Sequence, residues 1–486
     1  KMANDDAQKE DELNKTVVIV GAGLVGAMTA VFLGRRGYNV FMYEGRADPR
    51  VTSSECPGAG GAAGESAMLG RLGNATKRSI NLALSHRGLC ALERVGLDKQ
   101  VLVEAVPMEG RMIHPRGQAD VDNGSIFQPY EHKPGHAIYS ISREELNFAL
   151  LAEVDKMSNV TTIFSAKFES YDKNTNTCVF NVGEGADSQK VSAMCDFVVG
   201  ADGAFSKVRE ALGRVQRLNF TREYIKTAYK ELTIPPTADG EFAMEPHALH
   251  IWPRDEFMLI GLPNADKSFT CTLFIPFVDL EPIKTEQDSV EFFKKYFPDV
   301  AKDDFKLMPT MSKDFFGNPT SPLLSITCDP WHYSDKLIIL GDAAHACLPF
   351  YGQGMNAGFE DSLRLDELIE ELDGDIAATF AALSKEMVPS RRGLVEASIQ
   401  NHIDMQKNTN SKFEMFKKKI DWVLEDLLPG RWLPLYTMVT FTRIPYDVAL
   451  ARAAHQDLIL SRAFVTCLAG GTVALAIAGV RFFASR

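Results

Sequence analysis

The chain has 486 residues, of which 45% are hydrophobic and 24% are charged. These values are typical of a globular protein of two or three domains, and they exclude a disordered or fibrous chain. The formal net charge of −12, with no block of lysines and arginines, argues against a nucleic-acid partner. The eight cysteines are scattered and contain no Cys-x-x-Cys pair, which favours reduced thiols in a cytosol-facing protein.

The first chemical signature along the chain lies at residues 17–26, VVIVGAGLVG. The run of β-branched residues predicts a parallel strand buried on both faces. Gly21, Gly23 and Gly26 follow in GxGxxG spacing. The first glycine permits a tight turn, the second lets backbone amides approach a pyrophosphate, and the third lets the next helix pack closely on the strand. A second predicted strand ends at Glu44, whose carboxylate can bind ribose hydroxyls. The pattern predicts a dinucleotide site.

Two N-terminal stretches are predicted to lack regular structure. Residues 1–14 are polar and acidic, without the apolar core of a signal peptide, and are expected to form a loose tail. Residues 56–74 contain a second cluster of glycines, but no apolar strand precedes it and Pro57 lies where a strand would be. This stretch is therefore predicted to be a Gly/Ala/Ser loop and not a second dinucleotide site.

After that loop the sequence indicates alternating short strands and helices. A helix is predicted from about His86, with Ser85 as its N-cap and Gly96 as its stop. Residues 107–142 alternate short strands with turns, and Ser142 precedes another helix with acidic residues in its first turn.

From residue 161 onward, the predicted secondary structure changes twice. Residues 161–182 have the pattern of a meander, and residues 224–327 have that of antiparallel strands, which suits a sheet covering a pocket. Residues 336–340 return to a buried parallel strand, and residues 361–441 are predicted to be helical.

The C-terminal segment contains 18 residues without a charge, 463–480, between Arg462 and Arg481. As a helix this segment spans ~27 Å, close to the thickness of a bilayer core. A single transmembrane tail anchor is predicted here, and a buried C-terminal helix is the alternative.

Two further stretches favour FAD over NAD as the cofactor. In DFVVGADGAFSKVR, a strand delivers Asp202 at its C-terminal end, where ligands of parallel sheets bind. In LIILGDAAHACLPFYGQGMNAG, Asp342 also ends a buried strand and can bind ribityl and ribose hydroxyls. Gly352, Gly354 and Gly358 then begin a helix whose free amides favour the negative charge of a reduced flavin ring.

These three signatures, in this order and spacing, resemble the FAD-dependent aromatic hydroxylases that carry one flavin site and no separate nicotinamide domain. Further stretches narrow the resemblance to the members of that family that hydroxylate kynurenine: RSINLALSHRG, GRMIHP, ISREELN, AMEPHALHIWPR, KSFTCTLF, LGDAAHACLPFYGQGMNAGFED and LPLYTMVTFTRI. The resemblance runs from about Thr16 to the C-terminal segment. The chain departs from the family in the long loop at 52–77.

The resemblance implies an α/β fold that consists of a Rossmann-type FAD-binding domain, an antiparallel-sheet substrate domain, a C-terminal helical region and a C-terminal transmembrane helix. The expected divisions are 15–110, 191–220 and 331–375 for the FAD-binding domain, 111–190 for strands and a helix shared by both sites, 221–330 for the substrate domain, 376–457 for the helical region and 458–486 for the tail anchor.

The activity that the resemblance implies is hydroxylation of L-kynurenine at ring position 3, with NADPH and dioxygen as co-substrates. The ring position attacked lies beside the amino group of kynurenine and is electron-rich, so no strong side-chain base is required. None is evident, because His345 and His402 have no acidic partner at a recognisable spacing. The flavin carries the oxygen chemistry, and the protein orients the substrate and excludes water. No metal is expected.

The resemblance also assigns site residues. Arg111 is expected to bind the substrate carboxylate, with a surface salt bridge as the alternative for this residue. Arg143 is expected to contact the flavin, with a plain surface charge as the alternative. The other expected substrate contacts are Tyr130, Phe350, Tyr351, Asn401 and Tyr436. The other expected FAD contacts are Gly21, Gly23, Val25, Gly26, Tyr43, Glu44, Gly45, Arg46, Ala83, Phe168, Asp202, Asp342, Gly354, Met355 and Asn356.

Two other functions remain open from the sequence. A flavin hydroxylase of another aromatic substrate or of a polyene would share every cofactor motif and differ at the carboxylate-binding residues. A prenyl-binding escort protein uses a related fold without redox chemistry, although it needs no ribityl or pyrophosphate site. The expected localisation is the mitochondrial outer membrane, with the catalytic part facing the cytosol.

Overall fold

The computed structural model describes residues 15–51, 81–117, 121, 124–132, 135–183, 185, 188–407 and 412–462. The predicted N-terminal tail, the glycine-rich loop at 52–77 and the apolar segment 463–480 lie outside these ranges.

A six-stranded sheet carries the first and last sequence signatures. Its central strand β1 pairs in parallel with β2 on one side and with β12 on the other, and the sheet has the order β18-β19-β12-β1-β2-β8. Only the two-residue edge strand β18 is antiparallel to its neighbour. This arrangement confirms the predicted Rossmann-type sheet. Its strands are β1 (Thr16–Val20), β2 (Asn39–Tyr43), β8 (Val160–Ile163), β12 (Phe197–Gly200), β18 (His332–Tyr333) and β19 (Leu337–Ile339).

The two faces of this sheet are both covered, because successive side chains of a strand point to opposite faces. Val17 and Ile19 pack into a core formed with the helices α1, α2, α4, α10 and α11. Val18 and Val20 pack on the other face, against α5 and a small sheet. The helices are α1 (Leu24–Arg35), α2 (His86–Arg94), α4 (Arg143–Val154), α5 (Lys207–Val215), α10 (Gly354–Glu371) and α11 (Ile376–Lys407).

Two three-stranded sheets lie beside the large one, in the orders β11-β10-β9 and β3-β7-β4. The first is the predicted meander, and the second joins the strand before α2 to the strand before α4. The helix predicted after Ser142 begins there, and the Ser142 hydroxyl caps it by accepting a hydrogen bond from the backbone amide of Glu145 at 3.4 Å. Ser85 is the N-cap residue of α2, as predicted, but its side chain makes no capping hydrogen bond. The strands are β3 (Asn81–Leu84), β4 (Val106–Met108), β7 (Ile138–Ser142), β9 (Ala166–Asp172), β10 (Thr177–Val182) and β11 (Gln189–Met194).

A seven-stranded sheet, in the order β17-β13-β16-β15-β14-β5-β6, forms the second layer. Its pairings from residue 219 to residue 329 are antiparallel, which confirms the predicted pattern. The pairing of β5 with β14 is parallel and was not predicted, because it joins segments far apart in the chain. The strands are β5 (Gly110–Ile113), β6 (Ile126–Pro129), β13 (Asn219–Ile234), β14 (Ala248–Arg254), β15 (Phe257–Pro263), β16 (Phe269–Pro276) and β17 (Ser321–Asp329).

The seven-stranded sheet has one face on its own helices and one face toward the flavin signatures. Trp252 and Phe269 pack with the phenylalanines of the segment 292–315. On the opposite face, Ile251 and Phe274 pack against Phe350, which follows the third signature. The helical segments on the first face are α6 (Phe277–Leu280), α7 (Glu286–Tyr296), α8 (Lys302–Phe305) and α9 (Met311–Gly317). Helix α3 (Asp98–Val103) precedes β4, and its Val101 packs into the core of the six-stranded sheet.

The C-terminal region is helical, as predicted. After α11 it contains α12 (Lys412–Leu427), α13 (Leu435–Phe441) and α14, which is described over residues 446–462. The predicted domain boundaries stay a prediction.

The fold prediction was wrong in its C-terminal transmembrane helix, because no helix in the described ranges is long and apolar enough to cross a membrane. Helix α14 carries Asp447, Arg452 and Asp457, whereas a spanning helix needs about 20 consecutive, mostly apolar residues. The segment 463–480 lies outside the described residues. The membrane contact predicted through that helix is withdrawn with it, and the localisation stays a prediction.

Candidate active site

Of the three glycines in the turn between β1 and α1, only the middle one, Gly23, has open space beside its Cα atom. A side chain at Gly21, where φ is +103°, would lie 2.5 Å from the backbone oxygen of Ala201. A side chain at Gly26 would lie 1.8 Å from the backbone oxygen of Gly21. A side chain at Gly23 would meet no atom within 4 Å, and Gly23 is the N-cap of α1. The free amides of this helix end therefore face open space, as anion binding requires.

Val25 brings the first and third signatures into contact. A side chain at Gly358 would lie 2.5 Å from Val25 Cγ2, and one at Gly341 would lie 2.9 Å from the same atom. One turn later, the hydroxyls of Thr29 and Ser362 are 2.9 Å apart. The glycines of the third signature are therefore needed to let α10 and the turn after β19 approach α1.

Glu44 closes the end of β2 over the turn. Its carboxylate accepts hydrogen bonds from the backbone amide of Ala22 at 2.9 Å and from Arg46 Nε at 2.8 Å. Burial raises the pKa of Glu44, but these hydrogen bonds outweigh that effect and lower it on balance. The carboxylate is therefore held in its charged form.

The neighbours of Glu44 form an aromatic group behind it. Gly45 and Arg46 are exposed, and the backbone oxygen of Arg46 accepts from the Ser165 amide at 2.8 Å. The rings of Tyr43 and Phe180 stack at 3.8 Å, and Phe168 meets Phe180 edge-on at 5.7 Å. Phe168 is thus brought near the end of β2, with its own ring buried.

Asp342 lies in the turn Gly341–Ala343 after β19. Its side chain is exposed although the residues around it, including Ala343 and His345, are buried. Burial nevertheless raises the pKa of its carboxyl, against the opposing effects of His345 and Arg143. Asp342 therefore faces a recess inside the molecule, and the predicted flavin contact Arg143 lies near enough for its charge to act on this carboxyl.

Asp202 has one structural and one open oxygen. Its Oδ2 atom accepts hydrogen bonds from the backbone amides of Lys207 at 2.7 Å and Val208 at 3.1 Å, at the start of α5. Its Oδ1 atom is buried and has no hydrogen-bond partner among the described residues. A buried polar atom of this kind needs a partner such as a ligand hydroxyl.

Asn356 ties the start of α10 to β3. Its amide nitrogen donates to the backbone oxygens of Ala83 at 2.8 Å and Gly352 at 2.9 Å, and its oxygen accepts from the Ser85 amide. The predicted flavin contacts Ala83 and Asn356 therefore meet beside Gly354 and Met355, which begin the helix and are half-buried. The open helix ends, the open oxygen of Asp202 and the recess at Asp342 together fit an extended dinucleotide.

The predicted carboxylate-binding residues come together from three distant segments. Arg111 lies on β5, Tyr130 follows β6, and Tyr436 lies on α13. The rings of the two tyrosines stack at 5.0 Å, and the Arg111 guanidinium carbon lies 5.0 Å from the Tyr436 ring centroid and 5.8 Å from that of Tyr130. The structure therefore brings these three residues together, and their role in binding a carboxylate stays a prediction.

Arg111 is a cation without a carboxylate partner among the described residues. Its Nε atom and the Tyr130 hydroxyl are buried and lack hydrogen-bond partners in that part of the chain. Burial acts to lower the pKa of Arg111, but the hydroxyls of Tyr436, Tyr130 and Tyr351 raise it on balance. A surface salt bridge, the alternative for Arg111, is therefore wrong. The cluster presents donors to an anion that the described residues do not supply.

The predicted aromatic wall lies beside this cluster. Phe350 is buried and meets Phe274 of β16 at 4.8 Å, while His402 stacks on its other side at 4.1 Å. Asn401 donates from Nδ2 to the backbone oxygen of Phe350 at 2.7 Å. Asn401 therefore supports the turn that carries the wall.

The prediction that His345 has no acidic partner was wrong. Its Nε2 atom lies 2.6 Å from Asp361 Oδ2, and both side chains are buried. Asp361 also accepts from the Gly341 amide and pairs with Arg391 at 2.8 Å. The pair joins a turn to a helix 16 residues later, a separation that neither helical nor strand spacing reveals. Both residues lie in the motif GDAAHACLPFYGQGMNAGFED, and this shared motif was the only indication of their pairing in the sequence.

The expectation of no metal stays a prediction. Glu131, His132 and Glu425 place one ligand atom each within 4.8 Å of one another, next to Tyr130. The Thr437 hydroxyl donates a hydrogen bond to Glu131.

Comparison with known proteins agrees with this geometry. Residues 14–379 match the FAD binding domain family. The fold is similar to that of 2-methyl-3-hydroxypyridine-5-carboxylic acid oxygenase, with a TM-score of 0.63 at 19% identity over 82% of this chain and 94% of that one. It is also similar to that of a tetracycline destructase, with a TM-score of 0.60 at 12% identity over 89% of this chain and 98% of that one. Fold, site and family define an FAD-dependent monooxygenase, which rules out the non-redox alternative.

Curated relatives narrow the class further. A kynurenine 3-monooxygenase of Sus scrofa is 39% identical over 92% of this chain and 88% of its own length. Those of Flavobacterium johnsoniae and Caenorhabditis elegans are 38% and 36% identical, over 91% and 97% of this chain and 92% and 98% of their own lengths. The chain belongs to the kynurenine 3-monooxygenase family.

Proposed function

We propose that this enzyme adds one oxygen atom to ring position 3 of L-kynurenine, with NADPH and dioxygen as co-substrates. The observation that carries the proposal is Arg111 beside the stacked rings of Tyr130 and Tyr436: its Nε atom is buried, and it has no carboxylate partner among the described residues. The α-carboxylate of an amino acid supplies that partner, and a planar guanidinium is suited to bind it.

The substrate carboxylate is bound by Arg111 with help from the hydroxyls of Tyr130 and Tyr436. The aromatic ring then extends toward Phe350 and Tyr351, and Asn401 holds the backbone of that wall through its hydrogen bond to Phe350. This orientation presents the ring to the start of α10. No side-chain base is needed, since the amino group of kynurenine makes the adjacent ring carbon electron-rich.

Bound FAD, once reduced by NADPH, supplies the activation of dioxygen and the transfer of one oxygen atom. The protein holds it through the N-terminus of α1 at the pyrophosphate, Glu44 at a ribose, and Asp342 and Arg143 at the middle of the molecule. The start of α10 stabilises negative charge at the ring end. The proposed contacts are Gly21, Gly23, Val25, Gly26, Tyr43, Glu44, Gly45, Arg46, Ala83, Arg143, Phe168, Asp202, Asp342, Gly354, Met355 and Asn356.

The direct test follows NADPH oxidation with L-kynurenine, with 2-aminoacetophenone and without an aromatic compound. The second compound keeps the aminophenyl ketone but lacks the amino-acid end. We expect rapid oxidation with L-kynurenine and a product heavier by one oxygen atom in mass spectrometry. An equally good conversion of 2-aminoacetophenone, or none of kynurenine, would favour the flavin hydroxylase of another aromatic substrate.

A further inference from the structure

The segment 439–446 connects helix α13, which carries Tyr436, to helix α14, and a buried arginine holds it. Arg87 of α2 is fully buried and donates from Nε to the backbone oxygen of Val439 at 3.3 Å and from Nη2 to that of Ile444. Its guanidinium carbon lies 4.1 Å from the ring centroid of Tyr446. One side chain therefore contacts the beginning, the middle and the end of the segment.

Arg87 is in turn fixed by helix α10. Its Nη1 atom donates to both oxygens of Glu360, at 2.8 and 2.7 Å. Glu360 is buried and also pairs with Arg391 at 3.0 Å. Breaking such a buried ion pair leaves a charge unpaired in a low dielectric, so each of these groups keeps the others in place.

A second pair repeats the connection nearer the surface. Arg443, in the middle of segment 439–446, binds Glu367 through two parallel hydrogen bonds of 2.7 and 3.0 Å. Glu367 lies two turns after Glu360 on α10. Arg443 is one-third exposed, so it can be replaced at a lower cost to folding than Arg87.

The same helix begins at the flavin signature. Tyr446 donates its hydroxyl hydrogen to Gln353 at 3.1 Å, directly before Gly354. At the next position after Glu360, Asp361 binds the Gly341 amide and His345, on both sides of Asp342. Helix α10 thus joins the flavin turn and the segment that leads to Tyr436.

The end of the segment is tightly packed against helix α11. A side chain at Gly393 of α11 would lie 2.9 Å from the backbone nitrogen of Asp447. The backbone of α14 therefore rests directly on the backbone of α11, immediately after the arginine contacts.

We propose that Arg87, Glu360 and Arg443 are positioning residues that hold Tyr436 next to Arg111. They also keep this tyrosine at a fixed distance from the turn that carries Asp342. They touch neither substrate nor cofactor. They act by holding segment 439–446 on α10, so that the carboxylate site and the start of α10 keep one relative position. The inference rests on the proposed function for its substrate, but its structural part concerns this segment alone.

The experiment compares Arg443→Ala with Arg94→Ala in the FAD-loaded full chain. Arg94 of α2 is the matched control, because it also pairs with carboxylates of α10, Asp366 and Glu370, but it does so without involving segment 439–446. Amide hydrogen exchange of residues 435–446 is measured first, without substrate. We expect at least a severalfold faster exchange in Arg443→Ala and unchanged exchange in Arg94→Ala.

Kinetics form the second arm. In Arg443→Ala the KM for L-kynurenine should rise about tenfold, because a small displacement of Tyr436 misplaces the carboxylate, while the KM for NADPH and the FAD content stay unchanged. Tyr446→Phe removes one hydroxyl without an unpaired charge and should change the KM in the same direction by less. Faster exchange in Arg443→Ala with an unchanged KM for kynurenine, or equal exchange in both variants, would overturn the inference. Absence of kynurenine-dependent turnover in the unmodified enzyme would instead overturn the proposed function, and the exchange result would still decide the structural part.

Discussion

At the scale of single residues, the site depends on polar groups that the protein itself leaves open. Asp342 is exposed to a recess although its neighbours are buried, Asp202 keeps one oxygen without a partner, and Arg111 has no carboxylate among the described residues. Burying such groups costs free energy unless a ligand completes their hydrogen bonds. For two of them, Asp342 and Arg111, we therefore predict what is lost on substitution.

Asp342→Ala should weaken retention of FAD, since hydroxyl contacts at the centre of an extended dinucleotide are removed. The ratio of flavin absorbance to protein absorbance after gel filtration measures the effect. Asp335→Ala is the control, because that carboxylate lies on the surface beside Lys336 just before β19. Full flavin content in the Asp342→Ala protein would show that this motif does not bind the cofactor.

Arg111→Ala should raise the KM for L-kynurenine strongly and leave the FAD content as it is. Loss of the guanidinium leaves a substrate carboxylate unpaired in a partly dry pocket, which costs on the order of 2–5 kcal/mol. Arg116→Ala, which removes an exposed arginine paired with Asp255 in the turn between β14 and β15, should leave both quantities unchanged. Steady-state kinetics with varied kynurenine decide the matter, and an unaltered KM would refute the carboxylate role.

The residues that the sequence predicted well are those held in local motifs. The spacing of Gly21, Gly23 and Gly26 demands a turn that only one backbone path satisfies, so the site could be placed without a structure. The grouping of Arg111 with Tyr436 depended on family resemblance, since the two residues are 325 positions apart (436 minus 111). The pairing of His345 with Asp361 had no local signal and was missed.

At the scale of elements, the apolar pattern of the sequence identified strands and helices better than it identified which strands pair with each other. The alternation of apolar residues predicted the antiparallel strands after residue 219, whose hairpins join neighbours in the chain. The parallel pairing of β5 with β14 joins Arg111 to Leu249 in register, and no short-range rule reveals it. That pairing has two consequences. It turns Arg111 and Ile113 toward Phe350, and it places His114 on the other face, beside His250 of β14.

The histidine pair on that far face predicts an acid sensitivity. His114 Nε2 and His250 Nδ1 are 2.9 Å apart, and burial lowers the pKa of His114 to about 3 and that of His250 to about 4. In the unfolded chain the pKa of both histidines is about 6.5. Because their pKa values are lower in the folded protein, protons bind to the unfolded chain first as the pH falls. The free energy of unfolding is therefore full above about pH 6.5 and decreases below it, by about 2 kcal/mol per histidine at pH 5.

Replacing one histidine should therefore flatten the pH dependence of stability. His250→Gln keeps a donor for the Glu245 carbonyl, which His250 Nε2 contacts at 2.8 Å. We expect the unfolding free energy of this variant in urea to fall less between pH 7 and pH 5 than that of the unmodified protein. Thr272→Val, a change without a titrating group in the same sheet, should not alter the difference. An identical fall in His250→Gln would show that the pair is not the source.

At the scale of the whole molecule, the site is assembled from parts that no single domain contains. The six-stranded sheet supplies the cofactor turns, the seven-stranded sheet supplies Arg111, and the C-terminal helices supply Tyr436. The residues proposed to bind the substrate carboxylate therefore belong to different segments, and one ligand can stabilise their arrangement. A molecule built in this way can make the reactivity of its cofactor depend on whether the substrate is present.

That dependence is the last prediction, because a reduced flavin reacts with oxygen whether or not an acceptor ring is bound. We predict that a carboxylate bound by Arg111, Tyr130 and Tyr436 holds α13 against the site, and that NADPH reduces the flavin quickly in this arrangement. Stopped-flow reduction by NADPH without oxygen should be faster with L-kynurenine than without it. Tyr436→Phe should shrink that difference, since it removes the hydroxyl that faces the carboxylate, whereas Tyr333→Phe in the edge strand β18 should preserve it. Ligands that fill the carboxylate site but lack a ring to hydroxylate should also accelerate reduction and, with oxygen present, should release hydrogen peroxide. Equal reduction rates with and without kynurenine would reject this control of reduction while leaving the hydroxylation itself intact.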